Sequence, residues 1–103
     1  MQDSNLRPLA PEAKLDLHGL TREEARERAR YFLDDSLYQG MKTVLIVTGR
    51  GKSSGAEPVL RAEVERYLNH DAGAWVSEWG RAPRQYGGEG ALVVFLKGSK
   101  KGT

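Results

Sequence analysis

The chain has 103 residues and a mass of 11.4 kDa, with 39% hydrophobic and 29% charged residues, which sets one small globular domain with apolar content enough for a core. It holds no cysteine, which excludes a disulfide scaffold, a thiolate zinc site and a cysteine nucleophile, and its longest apolar runs, 44–47 and 91–96, are far short of the roughly 18 residues of a membrane helix. Net charge is only +2, but residues 1–40 carry 6 basic against 8 acidic side chains and residues 41–103 carry 10 against 6, a polarity compatible with a phosphate-bearing partner.

Residues 1–13 contain Pro8 and Pro11 and no periodicity, which reads as a flexible lead-in. Neither a basic nor an apolar leader opens the chain, so a cytoplasmic setting is expected, with no membrane partner. Lys14–His18 alternates strictly, with Leu15 and Leu17 on one face and Asp16 and His18 on the other, as in a half-buried strand ended by Gly19. Thr21 and Glu24 form a capping box, and Ala25, Ala29, Phe32, Leu33 and Leu37 follow at helical spacing up to a stop at Gly40.

Thr43–Thr48 is β-branched and apolar on both faces, as suits a central strand of a largely parallel sheet. Three glycines in seven residues then break it (49–55), Pro58 marks the first turn of a helix, and Leu60, Val64, Tyr67 and Leu68 stripe that helix to Asn69–His70. Ala74–Trp79 reads as a third strand with Trp75, Ser77 and Trp79 on one face. Ala91–Leu96 reads as a fourth, after a long connection over 80–90. Residues 98–103 are a basic, glycine-containing tail expected to be flexible, which leaves 14–97 as the domain.

The order β-α-β-α-β-β predicts an α/β two-layer sandwich: a four-stranded mixed sheet with both helices on one face, the first three strands as parallel neighbours and the fourth antiparallel to the third. Ligands of open α/β sheets bind beyond the carboxyl ends of parallel strands. His18-Gly19, Thr48–Gly51, Gly80-Arg81 and the turn Gly87–Gly90 should therefore meet on one rim.

Nucleotide-fold motifs fail on inspection. A P-loop needs glycine where Ile46 stands, and a dinucleotide fingerprint needs it at Ser54. What survives is a glycine-rich turn, Gly49-Arg50-Gly51-Lys52, whose backbone N–H groups and two cations suit a phosphate, or equally a plain strand-to-helix turn. Asp16 and His18 project from the same strand face, so the carboxylate can orient an imidazole that acts as general base or acid; the bland reading is a hydrogen-bonded structural histidine.

Arg81 and Arg84 flank Pro83 near Tyr86, a set fit to grip phosphates and stack a base or simply to line a solvated loop. Trp75 and Trp79 read as packing residues, and the arginines of the first helix, interleaved with Glu23, Glu24 and Glu27, as a solvated face. With only His18 and His70 available and no thiolate, no metal site is expected.

Leu15-Asp16-Leu17-His18-Gly19, then Thr48-Gly49-Arg50-Gly51, then Gly87-Gly88-Glu89-Gly90-Ala91 before an apolar strand, together resemble the Smr (small MutS-related) domain over about residues 14–97. The resemblance implies the same sandwich fold, nucleic-acid binding and, in many members, endonuclease activity: nicking of DNA, or cleavage of mRNA on stalled ribosomes. It puts catalysis on His18 and Asp16 and substrate binding on Gly19, Gly49, Arg50, Gly51, Gly87, Gly88 and Gly90, with Lys52, Arg81 and Arg84 as added phosphate contacts. Nucleic acid, and with it the ribosome, is the expected partner of a monomer. RNA would need no cofactor, whereas DNA, lacking the 2′-hydroxyl, would call for a divalent ion such as magnesium or manganese. Two other readings use the same residues: a binding module for RNA, DNA or a ribosomal surface without chemistry, and a protein-interaction domain with no affinity for nucleic acid.

Overall fold

The computed structural model describes residues 10–49 and 56–97. Strand β1 (Ala13–Asp16) leads to helix α1 (Arg22–Tyr38), β2 (Thr43–Val47), α2 (Ala56–His70), β3 (Val76–Arg81), two single 3-10 turns (Arg84–Tyr86 and Gly88–Gly90) and β4 (Ala91–Leu96). α1 starts where the capping box puts it: Thr21 Oγ1 accepts from the Glu24 N–H at 3.1 Å, and Glu24 Oε1 accepts from the Thr21 N–H at 3.0 Å. It stops in a Schellman turn. Gly40, at φ +81°, donates to the Leu37 carbonyl and Met41 to that of Ser36, both at 3.0 Å.

The sheet order is β1-β2-β4-β3. β1 and β2 pair in parallel, whereas β4 runs antiparallel to both β2 and β3. The expected mixed sheet is thus present, but β2 and β3 are not neighbours, because β4 inserts between them. The burial pattern gives the reason. β4 is apolar on both faces and needs a strand on each side, while β3 exposes Ser77 and Glu78 and suits an edge.

Both helices cover one face. Leu33 and Leu37 of α1, Leu60, Val64 and Leu68 of α2, and Val44, Ile46, Leu92 and Val94 of the sheet form one buried cluster. At about 25 cal/mol per Å2 of apolar surface, removal of such side chains from water is the main force holding the layers together. On the opposite face Leu45, Ala82, Ala91 and Val93 are buried beneath Tyr86, so the connection before β4 covers sheet rather than hanging in solvent.

Two local differences from the sequence expectation follow from hydrogen bonding. β1 opens at Ala13 rather than Lys14, because the Glu12 N–H bonds to the Thr43 carbonyl while its carboxylate accepts from the backbone of Lys42 and Thr43. The register of β3 slips between Val76 and Glu78, and Ser77 Oγ donates to the Phe95 carbonyl. The bulge breaks the alternation expected for Trp75, Ser77 and Trp79. Both tryptophans pack toward the helix-side core, Trp79 donating to Asn69 Oδ1 at 3.0 Å, and Ser77 is exposed.

Candidate functional site

Strand register decides what meets at the rim. Asp16 stands opposite Val47, Val47 opposite Ala91, and the Ala82 N–H bonds to the Ala91 carbonyl. The ends of β1, β2 and β3 and the start of β4 therefore form one row. At ~4.8 Å per strand, the row runs about 14 Å from Asp16 to Ala82. His18-Gly19 and Thr48-Gly49 lie toward β1 and β2, Arg81 ends β3, and the connection between β3 and β4 folds on itself, Gly88 donating to the Pro83 carbonyl at 3.0 Å and Gly87 to that of Arg84 at 3.1 Å.

Asp16 and His18 are in contact. Asp16 Oδ1 lies 2.7 Å from His18 Nδ1 and accepts the His18 backbone N–H at 3.1 Å. An ionised carboxylate in that position fixes the tautomer: Nδ1 carries the hydrogen, and Nε2 is the proton-accepting nitrogen of the neutral ring. The bond from the imidazole holds the Asp16 carboxyl below the ordinary aspartate value, against a lesser opposing effect of burial, with help from the His18 N–H and the charge of Lys14. The side chains of His18 and Asp16 are 67% and 50% exposed, so a large substrate can reach the pair. Gly19, at φ +86°, then turns the chain toward the Thr21 cap, a conformation costly for a residue with a Cβ.

The second and third glycine motifs hold each other. The Gly90 carbonyl accepts from the N–H of Thr48 at 2.8 Å and of Gly49 at 3.0 Å, and buried Thr48 directs its hydroxyl at the same oxygen. The Gly49 N–H is thus paired within the fold. Gly87, at φ +118°, and Gly88, at φ +56°, bend the turn, and Gly90 donates back to Gly87. Arg50, Gly51 and Lys52 lie outside the described residues.

The cations across the rim differ in setting. Arg81 emerges on the helix side, where its Nε is 3.8 Å from a Glu65 oxygen that Arg61 also approaches, and its side chain is 54% exposed. Arg84 is exposed at the start of its turn, and His70 is exposed at the end of α2, far from the rim. Among the described residues, no group of three or more histidine, aspartate or glutamate side chains is placed to hold a metal ion, and no helix is long and apolar enough to cross a membrane. The sequence reading placed Thr48 on the rim but not its approach to the Gly90 carbonyl, and it left Glu12, which clasps the start of β2 at the opposite end of β1 from Asp16, in the lead-in.

A two-layer α/β sandwich with an Asp-x-His-Gly strand end locked beside paired glycine turns defines a narrow class of small domain. The family model of the Smr domain matches residues 15–97, and the chain belongs to that family. It is 39% identical over 88 residues to the Endonuclease MutS2 of Streptococcus mutans and 38% identical over 87 residues to that of Streptococcus sanguinis, covering 85% and 84% of this chain. The chain spans about 10% of the length of those relatives. Among solved structures, YdaL, a stand-alone small MutS-related protein from Escherichia coli, superposes with a TM-score of 0.76 at 31% identity, over 84% of this chain and 66% of YdaL. The Smr domain of Thermus thermophilus MutS2 gives 0.70 at 30% identity, over 82% of this chain and 98% of that domain.

Proposed function

We propose that this Smr domain binds nucleic acid at the sheet rim and cleaves its phosphodiester backbone, with His18 as the proton-transfer group. The observation that carries the reading is the Asp16–His18 contact at an accessible strand end, in a chain related to proteins named as endonucleases. On RNA, Nε2 of His18 takes the proton of the 2′-hydroxyl. The oxygen attacks the adjacent phosphorus to form a cyclic phosphate, and the displaced 5′-oxygen takes its proton from water. Asp16 holds the tautomer and stabilises the imidazolium that forms.

Arg50, Gly51 and Lys52, which follow Gly49 in sequence, are assigned to the phosphate, with Gly19, Gly49, Gly87, Gly88 and Gly90 shaping the rim beneath it. Arg84, beside the glycine turn, and Arg81, at the end of β3, would hold further phosphates of the strand. On DNA the nucleophile is water, and a divalent ion carried mainly by the substrate's phosphates would supply the charge stabilisation.

A second reading is favoured by one specific contact. Asp16 also binds the His18 backbone N–H, so the pair shapes the turn as well as the imidazole, and a binding module without chemistry would use it only for that. Cleavage of end-labelled single-stranded RNA and matched DNA by wild type and His18→Ala, at low salt with magnesium or with chelator, separates the two. Product with wild type and none with His18→Ala supports the nuclease. A salt-dependent gel shift by both proteins with product from neither supports the binding module.

A further inference from the structure

We propose that the sheet face opposite the helices holds a pocket for one unpaired nucleobase of the strand whose backbone lies at the Asp16–His18 pair; this rests on the nucleic-acid reading above. A cavity of about 480 Å3 opens on that face, bordered by Glu12, Lys14, Leu45, Val47, Gln85 and Tyr86, a volume within the range of small-molecule sites. Its position follows from the register. Val47, part of the floor, is the direct partner of Asp16, and Lys14 shares the face of Asp16 two residues earlier. The floor of the cavity thus lies one strand spacing, about 5 Å between backbones, from Asp16.

Its chemistry suits a base. Leu45 and Val47 make an apolar floor and the half-buried Tyr86 ring an aromatic wall. Gln85 offers an amide that both donates and accepts, as a base edge requires, and exposed Lys14 supplies a cation for the attached phosphate. The Glu12 carboxylate is engaged by the backbone of Lys42 and Thr43, which draws it to the start of β2. Bases inside a duplex are stacked on both faces and present only their edges, so along a strand a tyrosine lying on a sheet surface stacks on one that is unpaired. The pocket therefore selects single-stranded substrate.

Fluorescence anisotropy of an all-deoxy single strand and of its blunt duplex, each end-labelled, tests this without needing cleavage. Wild type is expected to bind the single strand at least roughly fivefold more tightly, Tyr86→Leu to lose roughly fivefold or more of that affinity, and Tyr86→Phe to keep it, because a stacked ring accounts for a change of that size. Lys14→Gln should weaken single-strand binding and flatten its salt dependence, and duplex binding by the two Tyr86 variants should be unchanged. In an amide spectrum the single strand should move Lys14, Val47, Gln85 and Gly87. Equal affinity of wild type for single strand and duplex, full affinity in a folded Tyr86→Leu, or unmoved amides along the cavity with binding intact would each overturn the pocket and leave the rim reading standing. No binding of either nucleic acid by wild type would remove the nucleic-acid reading itself.

Discussion

Gly87→Ala is the substitution whose cost the structure sets most directly. Gly87 has φ +118°, and a Cβ placed there meets the Ala91 Cβ at 2.8 Å, a contact with an atom fixed to the first residue of a central strand. A left-handed backbone costs an ordinary residue roughly 1–2 kcal/mol, and a clash that nearby atoms cannot evade adds roughly 1–3. The expected loss is about 2–5 kcal/mol, which for a domain of this size lowers Tm on the order of 10–25 °C. Because this turn carries the Gly90 carbonyl that holds Thr48 and Gly49, those two amides should also exchange faster with solvent. Gly73→Ala is the control: nothing lies within 4 Å of its added Cβ, and Tm should move little. Thermal melts by circular dichroism measure both. A Gly87→Ala protein melting within about 2 °C of wild type would show that the turn does not brace the rim as described.

Asp16→Asn keeps an oxygen for His18 but removes the charge. With both side chains half exposed or more, the interaction lies near the solvent end of the ~1–4 kcal/mol span for close charges, so kcat should fall about tenfold, not ten-thousandfold. Single-turnover kinetics decide it, an unchanged rate or a loss of several orders of magnitude each contradicting the account. Glu12 has a lowered pKa, chiefly from the Lys42 and Thr43 backbone N–H groups, so its stabilisation is present above the unfolded value near 4.5 and is lost as pH falls through the folded one. Wild type should therefore lose stability more steeply than Glu12→Gln as pH falls below about 4.5, and superimposable denaturation curves would refute that clasp. Burial raises the Glu63 carboxyl, but bonds from Arg26 and Arg66 outweigh it and leave it lowered. Arg26→Met should then depress Tm more than Arg30→Met, whose partner Glu27 is 55% exposed; the reverse order would contradict the reading.

What could be read without the structure was what depends on neighbours in sequence. Thr21 and Glu24 define a helix start within four residues, and Leu15 and Leu17 reveal a buried strand face by their spacing alone. The rim was legible too, because chain direction places strand ends whatever the strand order. The insertion of β4 was not, since alternation does not record which strand lies alongside. Its one clue was the contrast between Ala91–Leu96, apolar on both faces, and the polar Ser77-Glu78 of β3. Nor could the glycines reveal that Gly90 accepts from Gly49, a contact that joins residues 41 positions apart and ties the second glycine motif to the third. The cavity beside Asp16 was hidden for the same reason: Lys14 and Gln85 border it from opposite ends of the sequence.

The central claim is that His18, aligned by Asp16, removes a proton from the substrate's own 2′-hydroxyl. It is tested most directly by the ends left on a short single-stranded RNA cleaved by wild type in chelator, compared with the same RNA carrying one deoxynucleotide immediately 5′ of the scissile phosphate. The account predicts a 2′,3′-cyclic phosphate, no product with His18→Ala and no cut at the deoxy position. Undiminished cleavage at that position, or by His18→Ala, would contradict it.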